Sequence, residues 1–259
     1  MADTRSYVVL DGASLTPEDV AGIVRDGLGV SLSSGAMGRN EEACELNLKL
    51  LEGGARIYGV NTGVGSLRSV EIPSELRDDY QRRLLRSHAL GAGEPVPDEV
   101  ARAMIAVRAN QLAAGGAGVR PDLIHALVDI LNEGSVPEVR ELGSLGTGDL
   151  TSLAEVGLTL LGERPFRDGR MRPSVSLGPR DGLMLMSSNA HAIGEAALCA
   201  VDLTRLTRSL EACAAISFEA ARANSRALDE RVHAARPHPG RSHLVTLTVD
   251  PDSNIAEQD

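Results

Sequence analysis

Apolar residues recur at helical spacing along most of this chain, and the pattern divides it into elements before any chemistry is considered. Val100, Met104, Val107 and Leu112 share one stripe of a helix over 98–113, which follows Pro95-Val96-Pro97 and is closed by Gly115-Gly116-Ala117-Gly118. Leu123, Leu127, Ile130 and Leu131 repeat the spacing over 122–132, ended by Gly134 and Pro137. Residues 41–52 predict a helix stopped by Gly53-Gly54, residues 75–88 another, and 150–161 a third, strongly apolar one. Thr16-Pro17-Glu18-Asp19 predicts a helix start, with a capping threonine and proline at the first helical position. From Arg180 to Arg222 the Ala- and Leu-rich sequence contains no proline, enough for one long helix or for two with a break.

Strand signals are few. Tyr7-Val8-Val9-Leu10 predicts a short strand and Ser174-Val175-Ser176 another, while the tail from His243 turns from a Val-Thr strand-like piece into a polar end. Residues 55–75 carry many glycines and predict a loop. No internal repeat or low-complexity tract interrupts the chain, so the pattern predicts a single mainly α domain over residues 1–259.

Composition supports packed helices. The chain has 259 residues, 42% of them hydrophobic, and can bury a substantial core. Only 2% are aromatic, with no Trp, two Phe and three Tyr, so the core must come from Leu, Ala, Val, Ile and Met rather than from the residues that β-sheets favour. A net charge of −10 argues against nucleic acid as a partner, because phosphates are bound by clustered Lys and Arg. Cys44, Cys199 and Cys213 are odd in number and lack CxxC spacing, which predicts buried free thiols and neither a disulfide framework nor a zinc site. No apolar run approaches the ~20 residues of a membrane span, and the N-terminus lacks a signal-peptide core. These features predict a protein of the reducing cytoplasm.

Two glycine-rich stretches carry the candidate chemistry. Leu142-Gly143-Ser144-Leu145-Gly146-Thr147-Gly148-Asp149-Leu150 allows close approach of backbone groups. One reading is a turn whose helix N-terminus holds an anion. The other is self-cyclisation of Gly146-Thr147-Gly148: the Gly148 amide nitrogen attacks the Gly146 carbonyl, Thr147 loses its hydroxyl, and an electrophilic imidazolone results. In the second stretch Tyr58 stands in a glycine-flanked loop, where a phenol serves as general acid or base only if its surroundings lower its pKa. His88 lies near the end of a predicted helix, where a cation is favoured by the dipole. His233, His238 and His243 fit no single helical face and lack a carboxylate-rich partner motif, so no metal site is predicted.

Together these stretches resemble the histidine and aromatic amino acid ammonia-lyases. The resemblance rests on Gly143-Ser144-Leu145-Gly146-Thr147-Gly148-Asp149-Leu150 with Leu160-Leu161-Gly162-Glu163, on Tyr58-Gly59-Val60-Asn61-Thr62-Gly63-Val64-Gly65, and on Arg236-Pro237-His238-Pro239-Gly240. It implies a helical bundle of that family's type with small β elements near the N-terminus. It also implies a carbon–nitrogen lyase that eliminates ammonia from an L-amino acid to leave an α,β-unsaturated acid. The electrophile would be an imidazolone prosthetic group formed from the chain itself, with no metal or external cofactor. By resemblance Tyr58 takes part in proton transfer and His88 faces the substrate. The Ser87-His88 pair resembles the histidine-specific branch and implies an imidazole-bearing or other polar amino acid.

Three departures qualify the resemblance. Ser187 stands where the family carries the Asn of an Asn-Gly-Thr run at the electrophile, and Asn189, two positions on, substitutes for it in substrate binding only if the turn there is irregular. The family's Ala-Ser-Gly triplet is one residue longer before the aspartate, so Gly146-Thr147-Gly148 closes in a methyl-bearing form, or has lost closure, or a modified residue goes unwritten at this point. Gln258-Asp259 match the start of a motif whose Gln is at the active site, and the family's later catalytic Tyr, Arg and Glu have no counterpart before residue 259. The expectation is a homo- or hetero-tetramer in which a chain supplies the C-terminal half. The alternatives are a fragment, a catalytically degenerate subunit with a structural or interaction role, or a related aminomutase.

Overall fold

The computed structural model describes residues 7–143, 148–171 and 175–235. The chain divides between Cys199 and Ala200 into two compact units.

In the first unit, β1 (Tyr7–Leu10) and β2 (Gly29–Leu32) pair in parallel, with Tyr7 opposite Gly29 and Leu10 opposite Leu32. They are joined by α1 (Pro17–Arg25), whose start is fixed by a capping box. The Thr16 hydroxyl accepts the Asp19 N–H at 3.1 Å, and the Asp19 carboxylate accepts the Thr16 N–H at 3.0 Å. Thr16→Ala is expected to cost about 1 kcal/mol. The check is a lowered urea midpoint with an unchanged denaturant slope. The Asn132 side chain extends the sheet by donating to the Val30 carbonyl and accepting the Val30 N–H.

Helix α4 (Asp98–Ala113) is the centre of the core and packs against α1, α2 (Ser34–Glu52) and α5 (Pro121–Asn132). Ala101, Ala103, Ala106 and Ala109 have no exposed surface, and such small side chains let the neighbouring elements come close. A second layer forms where α6 (Leu150–Leu160) meets α3 (Arg77–His88) and α7 (Asp181–Met186). Gly157 permits this contact, because a Cβ there would stand 3.0 Å from Leu85 and 3.1 Å from Leu185. Strands β3 (Ala92–Pro95) and β4 (Arg140–Leu142) pair antiparallel and join the loop after α3 to the segment before α6.

Helix α8 (Ala190–Ala220) starts in the first unit. The second unit holds its remainder, a 3₁₀ turn (Ser225–Leu228) and α9 (Glu230–Ala234). Leu203, Leu206, Leu210 and Ile216 of α8 are exposed.

The architecture is mainly α with short strands, as the helical periodicity predicts. Of the two patterns offered for 180–222, the one with a break holds, and the break falls at 187–189. Helix α2 begins at Ser34 rather than 41, with the Ser33 hydroxyl accepting the Ala36 N–H. Strands β2, β3 and β4 were not predicted, and Val175 and Ser176 form no strand. The expectation of buried thiols is corrected: Cys44 is half-buried, and Cys199 and Cys213 are exposed. Among the described residues no cluster of potential metal ligands occurs, and no helix is long and apolar enough to cross a membrane.

Candidate active site

The segment entering α6 sets the geometry. Gly148 has φ +147°, and a Cβ at this position would lie 3.1 Å from the Ser188 carbonyl oxygen, so only glycine fits without displacement. Asp149 donates its N–H to the same oxygen at 2.6 Å. Its carboxylate accepts the Ala192 N–H at 3.0 Å in the first turn of α8, where the helix dipole favours a negative charge. Gly148, the third residue of the predicted triplet, therefore rests against the turn at 187–189. Gly146, Thr147, Gln258, His238 and His243 lie outside the described residues.

That turn is irregular. Ser187 has ψ 79°, and the Ser188 hydroxyl accepts the Ala190 N–H at 3.0 Å to start α8. Asn189 is therefore not on a helical face; it is exposed, and its side-chain oxygen is 3.4 Å from the Gln111 Nε2 of α4. The condition set for Asn189 by the sequence is thus met locally.

Tyr58 is 51% exposed, and its phenol oxygen accepts the Gly65 N–H at 2.8 Å. Burial first, and Tyr58 second, push the pKa of Tyr80 upward. Asn61 shapes the loop by accepting the Ile57 N–H at 2.7 Å and donating to the Ala55 carbonyl at 2.8 Å. Gln81 of α3 donates to the Gly59 carbonyl at 2.8 Å and accepts the Leu183 N–H at 3.0 Å, which ties the Tyr58 loop to α7. The same short helix leads directly into the turn beside Gly148. The Tyr58 loop and the Gly148 turn thus share one support.

His88 closes α3. Its Nδ1 lies 2.8 Å from the Leu84 carbonyl and 3.0 Å from the Ser87 hydroxyl, so a proton on Nδ1 satisfies the carbonyl and leaves Nε2 as an acceptor. The next residue is held by a buried carboxylate. Glu155 of α6, 1% exposed, accepts the Arg140 N–H at 3.0 Å and lies 3.3 Å from Arg164 Nη1. Arg164 in turn donates to the Ala89 carbonyl at 3.0 Å. Glu155 thereby fixes both β4 and the chain following His88.

A cleft of about 540 Å³ opens where the chain after α3 and β4 meets the starts of α6 and α8, lined among others by Leu90, Leu142, Asp149, Ser152, His191 and Glu195. His191 Nδ1 and the Ser152 hydroxyl are 2.8 Å apart. Sequence reasoning assigned His191 nothing, because its partner is 39 positions away on another helix. Glu155 and Gln111 were missed for the same reason, and no local motif marks any of the three.

Residues 15–248 match the family described as aromatic amino acid lyase. Histidine ammonia-lyase from Streptomyces griseus is 38% identical over 248 residues, covering 90% of this chain and 48% of that protein. The crystal structure of histidine ammonia-lyase from Trypanosoma cruzi is similar with a TM-score of 0.84 at 31% identity, covering 93% of this chain and 50% of that one. Tyrosine aminomutase from Streptomyces globisporus is similar with a TM-score of 0.87 at 30% identity, covering 93% and 48%. The chain spans about half the length of the curated relatives it matches.

Proposed function

Because this chain belongs to the aromatic amino acid lyase family, we propose that it works in an amino acid ammonia-lyase reaction of the histidine ammonia-lyase type. The reaction eliminates ammonia from an L-amino acid and leaves an α,β-unsaturated acid. The single observation that carries the reading is the seating of Gly148 and Asp149 against Ser188, at a positive-φ position where a side chain would be strained and tightly packed.

That seating suits the last residue of a triplet whose amide nitrogen must close onto a carbonyl two positions earlier. An imidazolone at 146–148 would supply an electrophile that makes the substrate amine a leaving group. The chain's own residues do the rest. Tyr58 exchanges the β-proton, and His88 presents Nε2 toward a polar substrate side chain. The scaffold's contribution is to hold donor, acceptor and substrate in a reactive orientation. The Ser87-His88 pair and the identity to histidine ammonia-lyases support an imidazole-bearing or other polar substrate. A homo- or hetero-tetramer with a chain supplying the C-terminal half, including the surroundings of Gln258, completes the site.

Two further readings have support of their own. The likeness to a tyrosine aminomutase favours elimination followed by re-addition. Ser187 and the short triplet favour a subunit that keeps the scaffold without the chemistry.

Intact mass of the purified chain separates these cases. Ring closure is expected to lower the mass by two waters and to add a near-ultraviolet absorbance. An unmodified mass, with no ammonia released from any amino acid when a complementing C-terminal half is present, overturns the lyase reading.

A further inference from the structure

Gln81 of α3 has no exposed surface, and a buried amide is costly unless its polar atoms find partners. Both of the bonds its side chain makes leave α3. Its Oε1 accepts the Leu183 N–H, one of the orphan amides in the first turn of α7, where the preceding Arg180 provides no side-chain cap. Its Nε2 donates to the Gly59 carbonyl. One side chain therefore caps a helix and holds the peptide that follows Tyr58.

Three backbones meet tightly around this bridge. Gly59 has φ +68°, and a Cβ there would stand 2.3 Å from Leu183 Cδ2. A Cβ at Gly182 would stand 2.7 Å from the Gln81 carbonyl oxygen. The far end of α7 is gripped as well. Arg108 of α4, 6% exposed, donates from Nε to the Leu185 carbonyl at 2.9 Å and from a terminal nitrogen to the Met184 carbonyl. Gln111, three residues on, accepts the Ser188 hydroxyl in the 187–189 turn. Helix α7 is thus held at both ends and gives the Tyr58 loop a fixed point.

Tyr58 has little else to orient it. It is half exposed, and among the described residues its phenol oxygen meets only the Gly65 N–H. The bonds of Asn61 to Ala55 and Ile57 stay within the loop and do not fix it against the core.

We propose that Gln81 is a positioning residue for proton transfer: by holding the Gly59 carbonyl against the first turn of α7, it sets the place of the Tyr58 phenol. The inference rests on the role given to Tyr58 above. Gln81 itself touches no reacting atom and acts through the backbone beside Tyr58.

The test is a double-mutant cycle on the deamination of L-histidine by the chain assembled with a complementing C-terminal half. Gln81→Met keeps the volume and removes both bonds. It is expected to lower kcat by about tenfold or more with KM near wild type, since small misplacements of reacting groups have large effects on rate. In the Tyr58→Phe background the same substitution is expected to change kcat by less than about twofold, because the group it positions is already gone. Equal losses in the two backgrounds mark a merely structural role and overturn the proposal, as does a wild-type kcat in Gln81→Met. Helicity is read first by circular dichroism. Should Gln81→Met lose it, Gln81→Asn decides by the same cycle, because its shorter side chain cannot reach both partners at once. If the wild-type assembly releases no ammonia, or Tyr58→Phe keeps the full rate, the role of Tyr58 fails instead. Amide exchange at Gly65, whose N–H the phenol accepts, then judges the bridge separately: about tenfold faster in Gln81→Met if the bridge seats the phenol, unchanged if it does not.

Discussion

Tyr58→Phe is expected to lower the rate of ammonia release by about 10²–10⁴-fold, the range typical of a lost general acid or base. Among the described residues the phenol oxygen accepts only the Gly65 N–H, and Tyr58 is 51% exposed. Phenylalanine fills the same volume, so the structural cost is one partly solvated hydrogen bond, about 1 kcal/mol. Asn61 and Gln81 hold the loop independently of the phenol. The loss therefore falls on kcat, with KM and helicity close to wild type. The measurement is steady-state deamination of L-histidine by the chain assembled with a complementing C-terminal half. An unchanged rate would move proton transfer to another group.

Glu155→Ala carries the largest expected effect on stability. The carboxylate is 1% exposed and serves the Arg140 amide and Arg164 together. Alanine leaves a partly buried amide without its acceptor, removes the partner of a partly exposed guanidinium and opens a gap beside Gly91. Removing one partner of a buried pair is worth about 3 kcal/mol, taken at the low end because Arg164 reaches water. For a chain of this size the thermal midpoint should fall by about 6–12 °C. Glu155→Gln keeps an acceptor for the Arg140 N–H and should lose much less. Because Arg164 also holds Ala89, the alanine variant should loosen the chain directly after His88 as well.

Local pattern made the long elements of this fold legible, and the reason is that their signals are short-range. The apolar spacing over 98–113 gives the observed limits of α4, and the Thr16-Pro17 start of α1 is present as a full capping box. The short strands escaped because they carry no alternation. Ala92–Pro95 contains both glycine and proline, which are poor strand residues, and pairs only because β4 lies beside it. The break at 187–189 lacks proline and glycine; it arises because the Ser188 hydroxyl takes over the amide of Ala190.

The site divides in the same way. Tyr58, His88 and Gly148 stand in or beside recognisable runs of sequence, so their candidacy was visible. Arg108 reads as one more polar position of an amphipathic helix, yet it is buried, and Gln111 looks like ordinary surface. Their importance comes from contacts 76 and 77 positions away in the sequence, which no local pattern encodes.

Helix α4 combines two duties whose joint effect is dynamic. Its alanines make it one of the least solvent-accessible segments, and the same helix carries the arginine and glutamine that grip the turn. Releasing that grip by unravelling α4 would expose most of the first unit's interior, so its free energy lies near that of global unfolding. The floor beneath Gly148 therefore stays in place through the local openings that fray exposed surface.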